Sequence, residues 1–91
     1  MRKRERLEII LDILKAVRDK GNRANPTHIL YKSNLSSDML KQYLKELLEK
    51  GFMIEEADKK HNKWYSLTNK GFNYINEFTV IRNFIESYGL D

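Results

Sequence analysis

Nine polar and basic side chains form two clusters whose chemistry suits a polyanion. The first combines hydroxyl, amide and ammonium groups and consists of Ser36, Ser37, Lys41, Gln42 and Lys45. The second is rich in lysine and consists of Lys59, Lys60, His61 and Lys63. Lysine and serine side chains contact phosphate oxygens, and a glutamine amide pairs with the edge of an adenine. Both clusters therefore point to the phosphates and bases of a nucleic acid.

The residues needed for catalysis or metal binding do not occur at useful spacings. His28 and His61 are the only histidines, and neither has a partner at the spacing of a metal site or a catalytic triad. The adjacent carboxylates of Glu55 and Glu56 would point to opposite faces of a strand and would not share a proton. There is no cysteine and no glycine-rich phosphate-binding loop. The sequence thus predicts no catalytic residue, no metal site, no cofactor and no enzymatic activity.

The distribution of charge also favours a polyanionic partner. The chain carries a net charge of +4, and residues 1–70 hold 16 lysines and arginines against 10 acidic residues. Residues 71–91 hold one arginine against three acidic residues. A basic body of this kind attracts nucleic acid, although solvated surface lysines alone would give the same count. No apolar run approaches the ~20 residues of a membrane span, so we expect no membrane association and a cytoplasmic, nucleoid-associated protein.

Three amphipathic helices are predicted before residue 51. The first covers about residues 3–20 and carries an apolar stripe formed by Leu7, Ile10, Leu11, Leu14 and Val17. The second begins at Asn25, an N-cap followed by proline, and ends near residue 34. The third runs over residues 36–50, with Ser36 as its N-cap and Gly51 as its left-handed stop. This third helix carries the whole first cluster.

The pattern then changes from helical to strand-like. Residues 52–57 and 63–67 are predicted to form a hairpin, with the second cluster around its turn. The neighbouring aromatics Trp64 and Tyr65 must face opposite sides, and we expect Trp64 to pack in the core. A long helix follows and is capped by Thr68. Three helices, a β-hairpin wing and a long C-terminal helix define an α+β, mainly α fold, the winged helix-turn-helix.

The last helix carries an apolar stripe spaced four, three, four and three residues apart, as in a coiled coil. Its members are Tyr74, Phe78, Ile81, Ile85 and Tyr88. This spacing predicts that two copies of the chain pair through their last helices to form a homodimer. In the alternative arrangement the stripe folds back onto its own domain. The predicted division is therefore a DNA-binding domain at residues 1–67 and a dimerisation helix at residues 68–91.

Three stretches of the chain resemble one known family. They are Arg6-Leu7-Glu8-Ile9-Ile10-Leu11-Asp12-Ile13-Leu14, the segment from Asn34-Leu35-Ser36 through Leu40, Tyr43-Leu44 and Leu47 to Gly51-Phe52-Met53-Ile54-Glu55, and Tyr65-Ser66-Leu67-Thr68-Asn69-Lys70-Gly71. In order and spacing they are similar to archaeal winged-helix DNA-binding proteins of the Sulfolobus 10a type. The resemblance implies a homodimer joined by an antiparallel coiled coil of C-terminal helices, with a DNA-binding head at each end. The sequence departs from that family at Asp38 and in its short, aromatic-rich last helix.

With this fold, the third helix (36–50) is expected to enter the major groove of duplex DNA, N-terminal residues nearest the bases. The wing (58–63) would lie along phosphates or reach the minor groove. Asp38 either accepts a hydrogen bond from a cytosine or stabilises the helix N-terminus. We therefore predict a protein that binds double-stranded DNA, as a transcriptional regulator or an architectural protein. The alternatives are a winged-helix adaptor that binds proteins in a transcription-related assembly and an RNA-binding protein.

Overall fold

The structure, a computed structural model, describes residues 4–89. The elements follow one another as α1 (Arg6–Asp19), α2 (Pro26–Ser33), α3 (Ser37–Glu49), β1 (Met53–Ala57), β2 (Lys63–Leu67) and α4 (Asn69–Ser87). Three helices, a hairpin and a long last helix confirm the predicted fold class. The first helix begins at Arg6 rather than at Lys3, which lies outside the described residues.

Side chains cap the N-termini of three helices, as the sequence predicts. Asn25, Ser36 and Thr68 each accept a hydrogen bond from the backbone N–H three residues further on, at 2.8 to 3.3 Å. Each satisfies one of the N–H groups that the first helical turn leaves without a partner. Asn34 ends α2 in the left-handed conformation, with φ of 54°. The sharp turn at Asn34 sets the direction in which α3 leaves the helix-turn-helix.

The hydrophobic core lies between α1, α2, α3, the hairpin and the first half of α4. Ile13, Leu14 and Ile29 are completely buried in it, and α4 contributes Ile75, which is 2% exposed. We call this packed unit (residues 6–78) the head. Leu7 belongs to the predicted apolar stripe of α1 but is 54% exposed. At this position the Tyr74 hydroxyl of α4 donates a hydrogen bond to the Leu7 carbonyl at 2.8 Å.

Tyr65, and not Trp64, is the aromatic of β2 that enters the core. Tyr65 is 4% exposed, whereas Trp64 lies half-buried on the opposite face, so the expectation for Trp64 is wrong. The reason is an isolated antiparallel bridge: Ala24 pairs with Tyr65 through two backbone hydrogen bonds of 3.1 and 2.8 Å, and both residues face the core. Burial, together with a hydrogen bond to Glu55, raises the pKa of the Tyr65 hydroxyl. The wing is thus anchored to the head by a neutral, buried tyrosine.

A network of contacts joins the end of α3 to the start of α4. The Thr68 hydroxyl donates to the Gly51 carbonyl at 2.6 Å, and the Lys70 ammonium donates to the Lys50 carbonyl at 2.8 Å. Gly71 lies so close to the Phe52 carbonyl that a Cβ atom at this position would overlap the oxygen. The turn after β2 therefore needs a hydroxyl at position 68 and no side chain at position 71.

Replacing Gly71 with alanine is expected to destabilise the protein by about 1–3 kcal/mol, because a backbone oxygen has little room to move away from an added methyl group. Urea unfolding followed by circular dichroism measures the change. Asn73→Ala is the matched control, since Asn73 is exposed on the same helix and alanine there gains helix propensity. A Gly71→Ala variant as stable as the control would mean that the close approach has no energetic consequence.

The second half of α4 extends beyond the head. The helix has 19 residues, which corresponds to a length of about 28 Å. The molecule measures 51 × 28 × 22 Å, and its radius of gyration of 13.9 Å exceeds the ~12 Å expected for a compact chain of this length. Within residues 4–89, no helix is both long enough and apolar enough to cross a membrane.

Candidate nucleic-acid interface

The outer face of α3 presents three members of the first cluster together. Lys41, Gln42 and Lys45 are all exposed, while Leu40, Leu44 and Leu47 are buried. The period of an α-helix places these two sets on opposite sides. The two lysines form no ion pair with any residue in the described part of the chain. We call Lys41, Gln42 and Lys45 the α3 face.

A groove of about 270 Å³ joins α3 to the wing. Ser37 and Lys41 line it from α3, Thr27 lines it from α2, and Lys63 lines it from β2. Two lysines from elements distant in sequence therefore border one concave surface together with the hydroxyl groups of Thr27 and Ser37. The rest of its lining is largely apolar and consists of Pro26, Leu30, Leu40, Leu44 and Tyr65. This combination of ammonium and hydroxyl groups matches the requirements of a phosphate backbone.

The wing tip is a structured loop. The Asp58 carboxylate accepts hydrogen bonds from the backbone N–H groups of Lys60 and Asn62, both at 2.9 Å, and from the Asn62 amide at 3.0 Å. These bonds, with the Asn62 side chain first, lower the pKa of Asp58. His61 adopts the left-handed conformation, with φ of 64°. The acidic group at the tip is thus engaged by its own loop, whereas Lys59, Lys60 and His61 are exposed.

Of the two remaining residues of the first cluster, Ser36 has a structural role and Ser37 lines the groove. The Ser36 hydroxyl accepts the capping hydrogen bond of α3, whereas Ser37 is exposed in the groove.

Gln42 borders a second groove, of about 360 Å³, together with Arg6 and Met39. Sequence reasoning did not single out Met39, which is 42% exposed, because a methionine on an amphipathic helix is commonly a core residue.

An ion-pair network fixes α3 against the start of α1. The Glu46 carboxylate pairs with the guanidinium of Arg6 and, at 2.8 Å, with the ammonium of Lys50. The hydrogen bond from Arg6, followed by the one from Lys50, lowers the pKa of Glu46 from 4.5 to about 2. Arg6 therefore serves the position of α3, and Lys41 and Lys45 stay available for a ligand.

Acid is expected to weaken this network in a defined pH window. Glu46 stays ionised in the folded protein at a pH where it would be protonated in the unfolded chain, so its contribution is complete above pH 4.5 and is lost as the pH falls towards 2. The Glu46→Gln variant should therefore lose less stability than the wild type between these pH values in thermal unfolding. Glu49→Gln, an exposed position on the same helix, is the control. Equal pH dependence of the wild type and the Glu46→Gln variant would contradict the assignment.

The structure divides the five predicted dimerisation residues into two groups. Tyr74 and Phe78 are half-buried against the head, with their rings stacked at 5.9 Å. Ile85 is half-buried, and Ile81 and Tyr88 are 60% and 67% exposed. The exposed apolar side chains at this end of α4 include two that the spacing did not predict, and we call the whole set the α4 face: Val80, Ile81, Phe84 and Tyr88.

Comparison with known proteins places this geometry in a family. The model of the winged helix-turn-helix family matches residues 3–86. The solved structure of Sso10a-2, a DNA-binding protein from Sulfolobus solfataricus, is similar with a TM-score of 0.76 and 26% identity, over 94% of this chain and 90% of that one. This similarity confirms the resemblance to the Sulfolobus 10a type. A search among curated proteins found no match.

Two further solved structures share the fold at lower identity. F93 from STIV, a winged-helix DNA-binding protein, has a TM-score of 0.69 and 24% identity, over 87% of this chain and 90% of that one. MepR, a transcription regulator of the Staphylococcus aureus multidrug efflux pump MepA, has a TM-score of 0.77 and 17% identity, over 88% and 60%. From its three helices, its wing and the family match over residues 3–86, the chain belongs to the winged helix-turn-helix family.

Proposed function

We propose that the protein binds double-stranded DNA, with α3 in the major groove and the wing (58–63) along the backbone or in the minor groove. The observation that carries the proposal is the groove between Lys41 of α3 and Lys63 of the wing. Neither lysine has an ion-pair partner among residues 4–89. Unpaired cations on two elements around one concave surface attract the phosphates on either side of a DNA groove.

The dimensions of α3 agree with this mode of binding. Its 13 residues make a rod about 20 Å long, and the major groove of B-DNA, about 12 Å wide, accepts a helix. Gln42 is then placed to pair with an adenine, and Lys41 and Lys45 to contact a guanine or a phosphate. Lys59, Lys60 and His61 extend the contact along the wing. Ser37 and the first turn of α3 approach a phosphate.

We also propose that two copies pair through the α4 face. Phe84 and Tyr88 lie on it with ring centroids 4.8 Å apart, and both are largely exposed. A cluster of large apolar side chains at the end of a projecting helix is unfavourable in water unless a partner covers it. A second copy supplies the same apolar surface, so the pairing is self-complementary. The dimer would carry two α3 faces to one DNA molecule.

Selection from a pool of random duplexes, with the mass of the complex measured in the same buffer, tests the proposal. Retention of duplexes by a dimer is the expected result. Enrichment of one sequence would indicate a regulator, and retention without enrichment would indicate an architectural protein. The proposal fails if no duplex is retained, or if single-stranded RNA displaces every bound duplex at equal concentration.

A further inference from the structure

We propose that Arg23, held over the ring of Trp64, is a phosphate-binding residue that extends the DNA contact to the turn between α1 and α2 beside the wing. This inference rests on the proposed function, since it names an additional contact to the same ligand. Arg23 lies in the turn between α1 and α2, and neither the charge pattern nor the helix-turn-helix pattern singles it out. Three features of the structure support the assignment.

The first feature is the fixed backbone on both sides of Arg23. Ala24 exchanges two hydrogen bonds with Tyr65 of β2, from its N–H at 3.1 Å and to its carbonyl at 2.8 Å. On the other side, the Asn22 side chain accepts a hydrogen bond from the Leu67 N–H at 2.7 Å. Arg23 therefore belongs to the rigid edge of the wing, although it precedes the wing by about forty residues in the sequence.

The second feature is the geometry of the guanidinium group. Its central carbon lies 4.2 Å from the centroid of the Trp64 ring, the shortest cation–ring distance among residues 4–89. Stacking on an indole restrains a guanidinium while its N–H donors, which lie in the guanidinium plane, stay free to point outward. Those donors match the two oxygens of a phosphate, and a restrained side chain loses less entropy on binding.

The third feature is the set of groups around the stack. Arg23 forms no ion pair and no side-chain hydrogen bond within the described part of the chain. The nearby Asp58 forms no ion pair with Arg23 in the described part of the chain: its carboxylate accepts hydrogen bonds from Lys60 and Asn62, and Arg23 acts on it only from a distance, as the last of the causes that lower the pKa of Asp58. A groove of about 340 Å³ separates the wing tip from the start of α2, and no acidic residue lines it. Trp64 and Lys63 are part of its lining, so Arg23 stands at the border of a basic and polar surface.

A purely structural role for Arg23 predicts a different experimental result. If the stack only supported the wing, its loss would lower the melting temperature. DNA binding would then weaken only under conditions in which the wing unfolds. If Arg23 contacts a phosphate, its loss lowers the number of counterions that are released when DNA binds, although the variant stays folded. The slope of log K against log salt measures this number, because each phosphate that the protein contacts contributes about 0.9 to the slope.

The test compares Arg23→Gln with the wild-type chain on one duplex at several salt concentrations. We expect the variant to bind roughly 5- to 20-fold more weakly in dilute salt, and the slope of log K against log salt to become shallower by about 0.9. Trp64→Leu keeps the arginine and removes the stacking surface, so it should weaken binding with little change of slope. The melting temperature of each variant is measured in the same buffer.

Arg82→Gln is the control, because Arg82 also lies over an aromatic ring, that of Phe78 at 5.1 Å, but on α4, where it pairs with Glu8 at 3.2 Å and is not free for a phosphate. It removes the same charge and should leave the slope unchanged. The proposal is overturned if Arg23→Gln, still folded, has the affinity and slope of the wild type, or if Arg82→Gln changes the slope by the same amount. Failure of the proposed function looks different, since the wild-type chain itself would then not bind the duplex.

The fluorescence of Trp64 gives a second test in the wild-type chain, because Trp64 is the only tryptophan. We expect its emission to change when the duplex binds beside it. An emission that does not respond to the duplex contradicts the proposal.

Discussion

The double variant Lys41→Ala, Lys45→Ala is expected to bind duplex DNA roughly 30- to 300-fold more weakly than the wild type, with a salt slope shallower by about 1.8. Both lysines are exposed on the same face of α3. Neither is part of the ion-pair network that Glu46 forms. Their removal therefore takes two charges from the interface without loosening the helix that carries them. Fluorescence anisotropy with a labelled duplex at several salt concentrations measures both quantities.

Lys15→Ala, Lys20→Ala is the control for this double variant. These two lysines lie in α1 and at its C-cap, outside the α3 face and the wing, and their loss changes the net charge by the same amount. The control should bind like the wild type, apart from a small long-range effect of charge. If the α3 variant binds with the affinity and salt slope of the wild type, α3 is not part of the interface. If both double variants bind equally weakly, the effect comes from net charge and not from the α3 face.

The second large effect is expected at the α4 face. Ile81→Glu together with Phe84→Glu should convert a dimer of about twice 10.9 kDa into monomers, with a dissociation constant raised on the order of 1,000-fold. Both side chains are about 60% exposed in the single chain, so charges there are solvated in the monomer. In a dimer the same charges would be buried without a partner. Sedimentation equilibrium measures the mass.

The choice of positions matters for this test. Phe78 lies on the predicted seam, but it packs against Tyr74 in the head, so a charge there would also destabilise the fold. Asn76→Glu with Asn83→Glu is the control, because both positions are exposed on α4 and receive the same two charges. The control should stay dimeric. A dimer that survives Ile81→Glu, Phe84→Glu, or a monomeric wild type, would exclude pairing through the α4 face.

Local chemistry explains why so much of the fold is predictable. A helix start needs an acceptor for its free N–H groups, so Asn25, Ser36 and Thr68 mark the starts of three helices in the sequence itself. The amphipathic period of α3 fixes which of its residues are exposed, and the α3 face follows from it. These signals depend on residues at most a few positions apart. They can therefore be recognised in the sequence without knowledge of the tertiary structure.

The features that sequence reasoning missed depend on contacts between distant residues. The period of β2 shows that Trp64 and Tyr65 face opposite sides, but only the pairing of Ala24 with Tyr65 decides which one is buried. Arg23 gains its place from the same pairing. Along α4, the heptad spacing holds over the whole helix, but the head packs mainly against its first half, and beyond Phe78 it holds Arg82, which pairs with Glu8 at 3.2 Å. The exposed apolar surface therefore lies nearer the C-terminal end of α4 than the heptad spacing predicts, and it includes Phe84.

The central claim is that the α3 face and the wing form one DNA-binding surface. A titration of the ¹⁵N-labelled chain with a short duplex, followed by backbone amide chemical shifts, tests this claim most directly. We expect the largest shift changes at residues 36–45 and 58–64, and small changes at residues 80–88. Changes concentrated at residues 80–88, or unperturbed amides at residues 36–45 under saturating duplex, would contradict it.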